Sequence, residues 1–183
     1  MIEAITYTLT SIDGIDKITI QVEGKNLEEL PNSKKNLPTV LDKNYGINKE
    51  YDLTSTMNID SYTLYYVSNY NDNIYYVPVT KYINNNNQDK VKVIIDELST
   101  SPIYQTNLMS YLNSNTSLID YDYNEGVMKL NFNNAILNDN SNKILEEVIY
   151  SISLSLDSIY NVREVDFIVD NKEIYKNSIK NLE

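Results

Sequence analysis

Cysteine and histidine are both missing from these 183 residues. Their absence removes disulfides, thiolate nucleophiles, zinc sites of the usual kind and histidine-based triads. Arginine occurs once, at Arg163, and the formal net charge is −11. Nucleic acid is therefore excluded as a partner, because phosphate contacts need a clustered cationic surface. Direct binding to anionic lipid is disfavoured for the same reason. The four glycines stand apart, so no glycine-rich loop cradles a phosphate. No Ser-x-x-Lys occurs that could replace a histidine triad. No run approaches the roughly 18 apolar residues that span a bilayer, and no charged, apolar and small-residue leader pattern is present. Either the protein is cytosolic or a leader lies outside this sequence.

What is present suits a globular chain. The hydrophobic fraction of 42% is enough for a core. Asn, Ile, Tyr and Lys are abundant, the residues that AT-rich codons supply. At the start, Ile2, Ile5, Leu9 and Ile12 recur at helical spacing. After Asp13-Gly14, Ile18, Ile20 and Val22 alternate with Thr19, Gln21 and Glu23, which predicts a strand with one buried face. Residues 26–60 contain two prolines, Gly46 and no sustained period, and read as an ordered connector with turns.

A second unit then begins. "SYTLYYVS" and "NIYYVPVT" are strand-like runs joined across "NYND", a hairpin signal. "NNNNQDKVKVIIDELST" opens on cap-forming residues, and Val91, Ile94, Ile95 and Leu98 follow on one helical face. A shorter helix is expected over Tyr104–Leu112. "SLIDYDY" and "VMKLNF" predict a hairpin turning at Asn124-Glu125-Gly126, with Met128, Leu130 and Phe132 on one face. A long helix carries Leu145, Ile149, Ile152, Leu156 and Ile159, and a last strand buries Val165, Phe167 and Val169.

That last helix and strand repeat the opening. Glu3, Ile5, Tyr7 and Leu9 answer Glu146, Val148, Tyr150 and Ile152. Ile18, Ile20, Val22 and Lys25 answer Val165, Phe167, Val169 and Lys172, after a gap of about one helical turn. The expected organisation is a closing helix and strand of a truncated first domain at 1–25, the connector at 26–60, a complete domain at 61–175 and a tail at 176–183. The apolar stripe of the first helix must then cover its own strand, dock on the second domain or pair with another molecule.

The ordered series "LYYVS", "YYVPVT", "VKVIIDELSTSP", "LIDYDYNEGVMKLNF", "EEVIYSISLSL" and "VREVDFIVDNK" resembles the GerMN domain of sporulation and germination lipoproteins. The resemblance covers about residues 62–173, and residues 2–25 resemble the end of a preceding copy. It implies an α+β fold: a small two-layer sandwich with helices on one face of a mixed sheet, akin to ring-building motifs. It also implies an extracytoplasmic, lipid-anchored protein that helps assemble an envelope-spanning complex between mother cell and forespore. The anchoring cysteine is not among these residues, so the membrane is expected only through an anchor absent from this chain. "YLNSNTS" departs from the proline and glycines that the family often carries there.

Candidate chemistry is thin. The carboxylate pairs Glu146–Glu147 and Asp96–Glu97 are adjacent on helices and diverge by about 100°, so they read as solvated faces rather than a glycosidase pair. Asp120, Asp122 and Asn124 imitate the start of a calcium loop, but Gly126 and Asn131 fall at the wrong positions. Alternation with Tyr121 and Tyr123 puts the acids on the wet face of a strand instead. Tyr62, Tyr66 and Tyr76 read as sheet residues rather than a sugar platform. No catalytic, cofactor-binding or metal-binding residue is therefore expected, no cofactor is implied, and the protein is not expected to be an enzyme. The favoured partners are components of an envelope or sporulation complex, with pairing to a second copy through a sheet edge also open. The alternative is a domain that binds peptidoglycan or another wall glycan.

Overall fold

The computed structural model describes residues 1–85, 87–100, 107–138 and 141–179. The chain forms two compact units, 1–49 and 50–183.

In the first unit, helix α1 spans Ile2–Leu9. Glu3 closes on its own unit: its carboxylate accepts from Asn48 N–H at 3.0 Å and lies 3.6 Å from Lys49 Nζ. The apolar stripe is only partly covered within the chain. Ile5, Leu9 and Ile12 are 41, 38 and 51% exposed, while Thr6 and Thr10 are buried. Thr10 Oγ1 donates to the Thr6 carbonyl at 2.8 Å, which satisfies one hydroxyl on the buried face. The expected strand through Ile18, Ile20 and Val22 is also corrected. Regular pairing is limited to β1 (Gln21–Val22) and β2 (Lys25–Asn26), plus a bridge between Ile18 and Leu41. Glu23 and Gly24, both at positive φ, fold the chain back directly after Val22. That tight turn ends the run before one face can be buried.

The second unit holds two four-stranded sheets rather than the single mixed sheet expected, and its class is α+β. Strand β3 (Glu50–Asp52) lies parallel to β5 (Asn73–Asn84), which forms a twelve-residue hairpin with β4 (Ile59–Tyr70). Helix α2 (Lys90–Thr100) follows and buries Val91, Val93, Ile94, Ile95 and Leu98. Leu108–Met109 form β6 against Val67 and Ser68 of β4, not part of a helix. A sheet neighbour with open positions overrides local helical preference there. The rest of the expected short helix up to 106, and Pro102 as a helix end, lie outside the described residues.

The other sheet contains β7 (Leu118–Asn124), β8 (Val127–Phe132), β9 (Glu164–Val169) and β10 (Lys172–Ser178), in the order β10-β9-β8-β7. Helix α3 (Glu146–Tyr160) makes the crossover between parallel β8 and β9. Met128, Leu130, Phe132, Val165, Phe167 and Val169 face α3 residues Ile149, Ile152 and Leu156 in one core. Tyr62, Leu64, Tyr66 and the buried face of α2 join the same core. Burying each such side chain contributes about 1.5–3 kcal/mol. Strand β10 was not foreseen, and it runs three residues into the segment expected as a tail. Its side chains are mostly polar, so pairing and not apolar alternation defines it: Asn177 Nδ2 donates to Ser153 Oγ at 3.0 Å inside the core.

Besides Glu23-Gly24 in the first unit, three hairpins of the second unit close on two-residue turns in which both residues have positive φ: Asn71-Asp72, Glu125-Gly126 and Asp170-Asn171. Asn and Asp supply the left-handed geometry in a glycine-poor chain. The Glu125-Gly126 turn is clasped from outside. Arg163 N–H donates to the Gly126 carbonyl at 2.7 Å, and the Arg163 guanidinium donates to the Glu125 carbonyl.

Helix α3 also does a second job. Ser155 Oγ accepts from Tyr65 N–H at 2.9 Å, and Ser158 Oγ donates to the Thr63 carbonyl at 3.1 Å. Two serines one turn apart thus bond the outward backbone groups of β4.

Two outcomes follow. Ser155→Ala leaves Tyr65 N–H without its acceptor and is expected to lower stability by about 1–3 kcal/mol in urea unfolding. Gly126→Ala is expected to cost about 1–2 kcal/mol for its left-handed φ alone. The added Cβ would also meet Arg163 Nε at 2.7 Å.

Candidate interaction surface

The residues singled out for chemistry do not converge. Asp96 is exposed, whereas Glu97 pairs with nearly buried Lys81 at 2.8 Å. Glu146 and Glu147 occupy the first turn of α3, where the helix dipole favours acids. Asp120, Asp122 and Asn124 lie exposed along β7, and among the described residues no three acidic side chains are grouped so as to hold a metal ion. Tyr62 and Tyr66 are 1 and 0% exposed, which removes both as stacking platforms. Burial, then the charge of Asp60 and its hydrogen bond, push the Tyr62 hydroxyl up to about 12. Tyr76 meets Tyr150 edge-on at 5.4 Å, and burial followed by Glu146 and Glu147 raises its hydroxyl.

What the fold does present is strand edges, and most are blunted. The β4 edge is bonded by the α3 serines and then by β6. Strand β3 is only three residues long, with Tyr51 stacked on Tyr82 at 4.8 Å. Strand β10 is interrupted by a bulge between Glu173 and Tyr175 and bristles with Lys172, Glu173 and Lys176. A bulge twists an edge away from pairing, and edge lysines discourage it.

Strand β7 differs. It ends its sheet, and every residue from Ile119 to Asn124 is exposed. Its one irregularity sits at the far end, between Leu118 and Asp120. The two-residue turn makes Asn124–Val127 the closing hydrogen-bonded pair, so Asp122–Lys129 and Asp120–Asn131 are bonded pairs too. Tyr121 and Tyr123 therefore direct their backbone N–H and C=O groups away from β8.

The side chains hold this edge in place. Tyr121 Oη donates to Asp89 Oδ2 at 2.7 Å, and Tyr123 Oη donates to the Tyr160 carbonyl at 2.7 Å. Asp89 also accepts from Lys92 N–H at 3.0 Å in the first turn of α2. Burial works against the Asp89 carboxylate. The Tyr121 hydroxyl, backbone N–H groups and Lys92 outweigh it and hold the carboxyl below its ordinary value. The hydrogen bond to Asp89, then burial, push the Tyr121 hydroxyl up to about 12. Sequence reasoning placed the acids on the wet face correctly. It missed the edge itself, because strand order is not a local property.

Among families of known proteins, the one named Germane, described as "Sporulation and spore germination", matches residues 1–28 and 63–175. The chain belongs to this family. It is 32% identical over 180 residues to the spore germination protein GerM of Bacillus subtilis (strain 168), which covers 94% of this chain. The chain spans 48% of that relative, about half its length. Its fold matches the solved tandem GerMN domains of the sporulation protein GerM from Bacillus subtilis. The TM-score is 0.85 at 30% identity, over 93% of this chain and 60% of that one. The GerMN resemblance read from residues 62–173 is thus upheld, and with it the tandem arrangement and the sporulation and germination context. Among the described residues no helix is long and apolar enough to cross a membrane.

Tyr121→Phe is expected to destabilise the protein by about 1 kcal/mol near neutral pH and to raise the Asp89 pKa. A depressed carboxylate contributes stability above its unfolded value and loses it as the folded group protonates. The gap between wild type and variant should therefore close as pH falls below about 4, in urea unfolding measured across pH.

Proposed function

We propose that this GerMN-family chain is a non-enzymatic protein-interaction domain of an envelope-anchored sporulation or germination lipoprotein, helping to assemble a complex between mother cell and forespore. The observation that carries the proposal is the contrast among edges. Among the described residues the edges of β3, β10 and β4 are shortened, bulged or covered, while β7 offers two residues' worth of outward backbone in a firmly held strand. Strand addition uses such groups: main-chain hydrogen bonds supply affinity and alternate side chains supply selection.

Support for the non-enzymatic reading is chemical. The sequence has no histidine or cysteine, and its carboxylate pairs are solvated or held in an ion pair. Support for the setting is the likeness to a protein named for spore germination. The anchor and the extracytoplasmic side belong to the same proposal, with the membrane reached through a segment other than these residues.

The test is recovery of envelope proteins with the tagged full-length protein from sporulating cells. Against a Tyr123→Phe control, which loses the hydroxyl bond to the Tyr160 carbonyl, Tyr123→Pro removes an outward N–H without touching a β7–β8 bond, a position where edge strands tolerate proline. It is expected to cut recovery about tenfold, a loss of roughly 1.4 kcal/mol, with an unchanged circular dichroism spectrum. Should the wild-type protein recover no envelope component, and its deletion leave the assembly intact, the proposal fails.

A further inference from the structure

The face of the second sheet opposite the core carries a charge row whose register is fixed by strand pairing, with Asp166 buried within it and Lys129 and Asp122 exposed. Lys176 of β10 pairs with Asp166 of β9, Asp166 with Lys129 of β8, and Lys129 with Asp122 of β7. The signs alternate across all four strands: cation, anion, cation, anion. Among the described residues Lys176 and Asp166 close to 3.3 Å, while Lys129 stands beside Asp166 and Asp122 by register alone; opposite charges side by side favour strand pairing and like charges oppose it. The row stops on an exposed carboxylate at the open edge, with Asp120 two residues back on the same face. On the other face stand Tyr121 and Tyr123, 37 and 39% exposed.

We infer that β7 receives an extended segment of a basic partner protein, in which Lys or Arg alternates with apolar residues. This rests on the interaction reading above and names the chemistry of the partner. A cation beside Asp122 continues the alternating row, and a second neutralises Asp120. The intervening apolar side chains fall over the exposed tyrosines. The partner strand bonds the outward N–H and C=O groups of Tyr121 and Tyr123.

Charge also decides against a second copy of this chain. Two β7 strands laid side by side bring their aspartates together. Joining β7 to the β10 edge of another copy would call on Lys176, which is already engaged by Glu164, Asp166 and Glu173 at 3.7, 3.3 and 3.3 Å. A formal net charge of −11 per copy adds general repulsion between copies and general attraction for a basic segment.

The test uses the full chain and three synthetic peptides of about ten residues, long enough to span an ordinary strand. One alternates lysine with valine, one alternates glutamate with valine, and one carries the lysines and valines in two blocks. Backbone amide shifts locate binding and titration gives its strength. The alternating lysine peptide is expected to shift Asp120–Asn124 and to bind about tenfold more tightly than either other peptide. Asp122→Lys should weaken it about tenfold. Asp96→Lys makes the same change in net charge on exposed α2 and should leave it within about twofold. Equal binding of lysine and glutamate peptides at β7 overturns the charge rule while leaving edge docking in place. Shifts away from β7, equal losses in the two variants, or no binding at all overturn the inference. So does a concentration-dependent self-association that shifts the β7 amides.

Discussion

The second unit depends on a helix that satisfies a sheet edge with hydroxyls. An edge strand leaves a row of backbone donors and acceptors, and burying them unpaired costs more than most side-chain contacts return. Helix α3 resolves this for β4 with Ser155 and Ser158. At the same time Ile149, Ile152 and Leu156 close the core over the other sheet. One helix therefore bonds the edge of one sheet while its apolar stripe packs on the other, and the two sheets share it as a common wall. Of its buried serines, Ser155 accepts from Tyr65 of β4 and Ser153 accepts from Asn177 of β10, so the helix is tied to both sheets.

Around that wall the chain saves flexibility where it can. The second unit's three two-residue turns need left-handed residues at both positions, six in all, and glycine fills one of the six. Asn and Asp fill four and Glu125 the remaining one. These residues accept the conformation at a moderate energy and leave the unfolded chain less mobile than glycine would. The polar group at the end of β4 and β5 works similarly. Asn85 donates to Asp60 and to the Tyr62 hydroxyl at 2.8 Å each, fixing the exit toward α2.

Periodicity made much of this legible. The faces of Val91, Ile94, Ile95 and Leu98, of Met128, Leu130 and Phe132, and of α3 all pack as their spacing implies. What stayed hidden was structure held by pairing alone. Strand β10 reads "KEIYKNS", and its membership depends on register with β9 and on one buried amide. The same limit applies at the start, where the stripe of Ile5, Leu9 and Ile12 has the spacing of a buried face and is exposed. The acids of β7 were legible as a wet face through alternation with tyrosine. Their place at the end of a four-strand charge row was not, because the row joins residues up to 54 positions apart.

The clasp of Arg163 on the β7–β8 turn has a mechanical side. Force transmitted along β7 by an adhering strand loads the β7–β8 hydrogen bonds in shear, where all of them resist together. Force applied at the turn would instead peel the hairpin open, breaking one bond after another. Arg163 N–H holds the Gly126 carbonyl, and the same residue's guanidinium holds that of Glu125, so the turn is tied to the start of β9. Peeling from that end must first break both of these bonds. The sole arginine converts a hairpin that could unzip into a lap joint that must slide, and the load passes into the centre of the sheet.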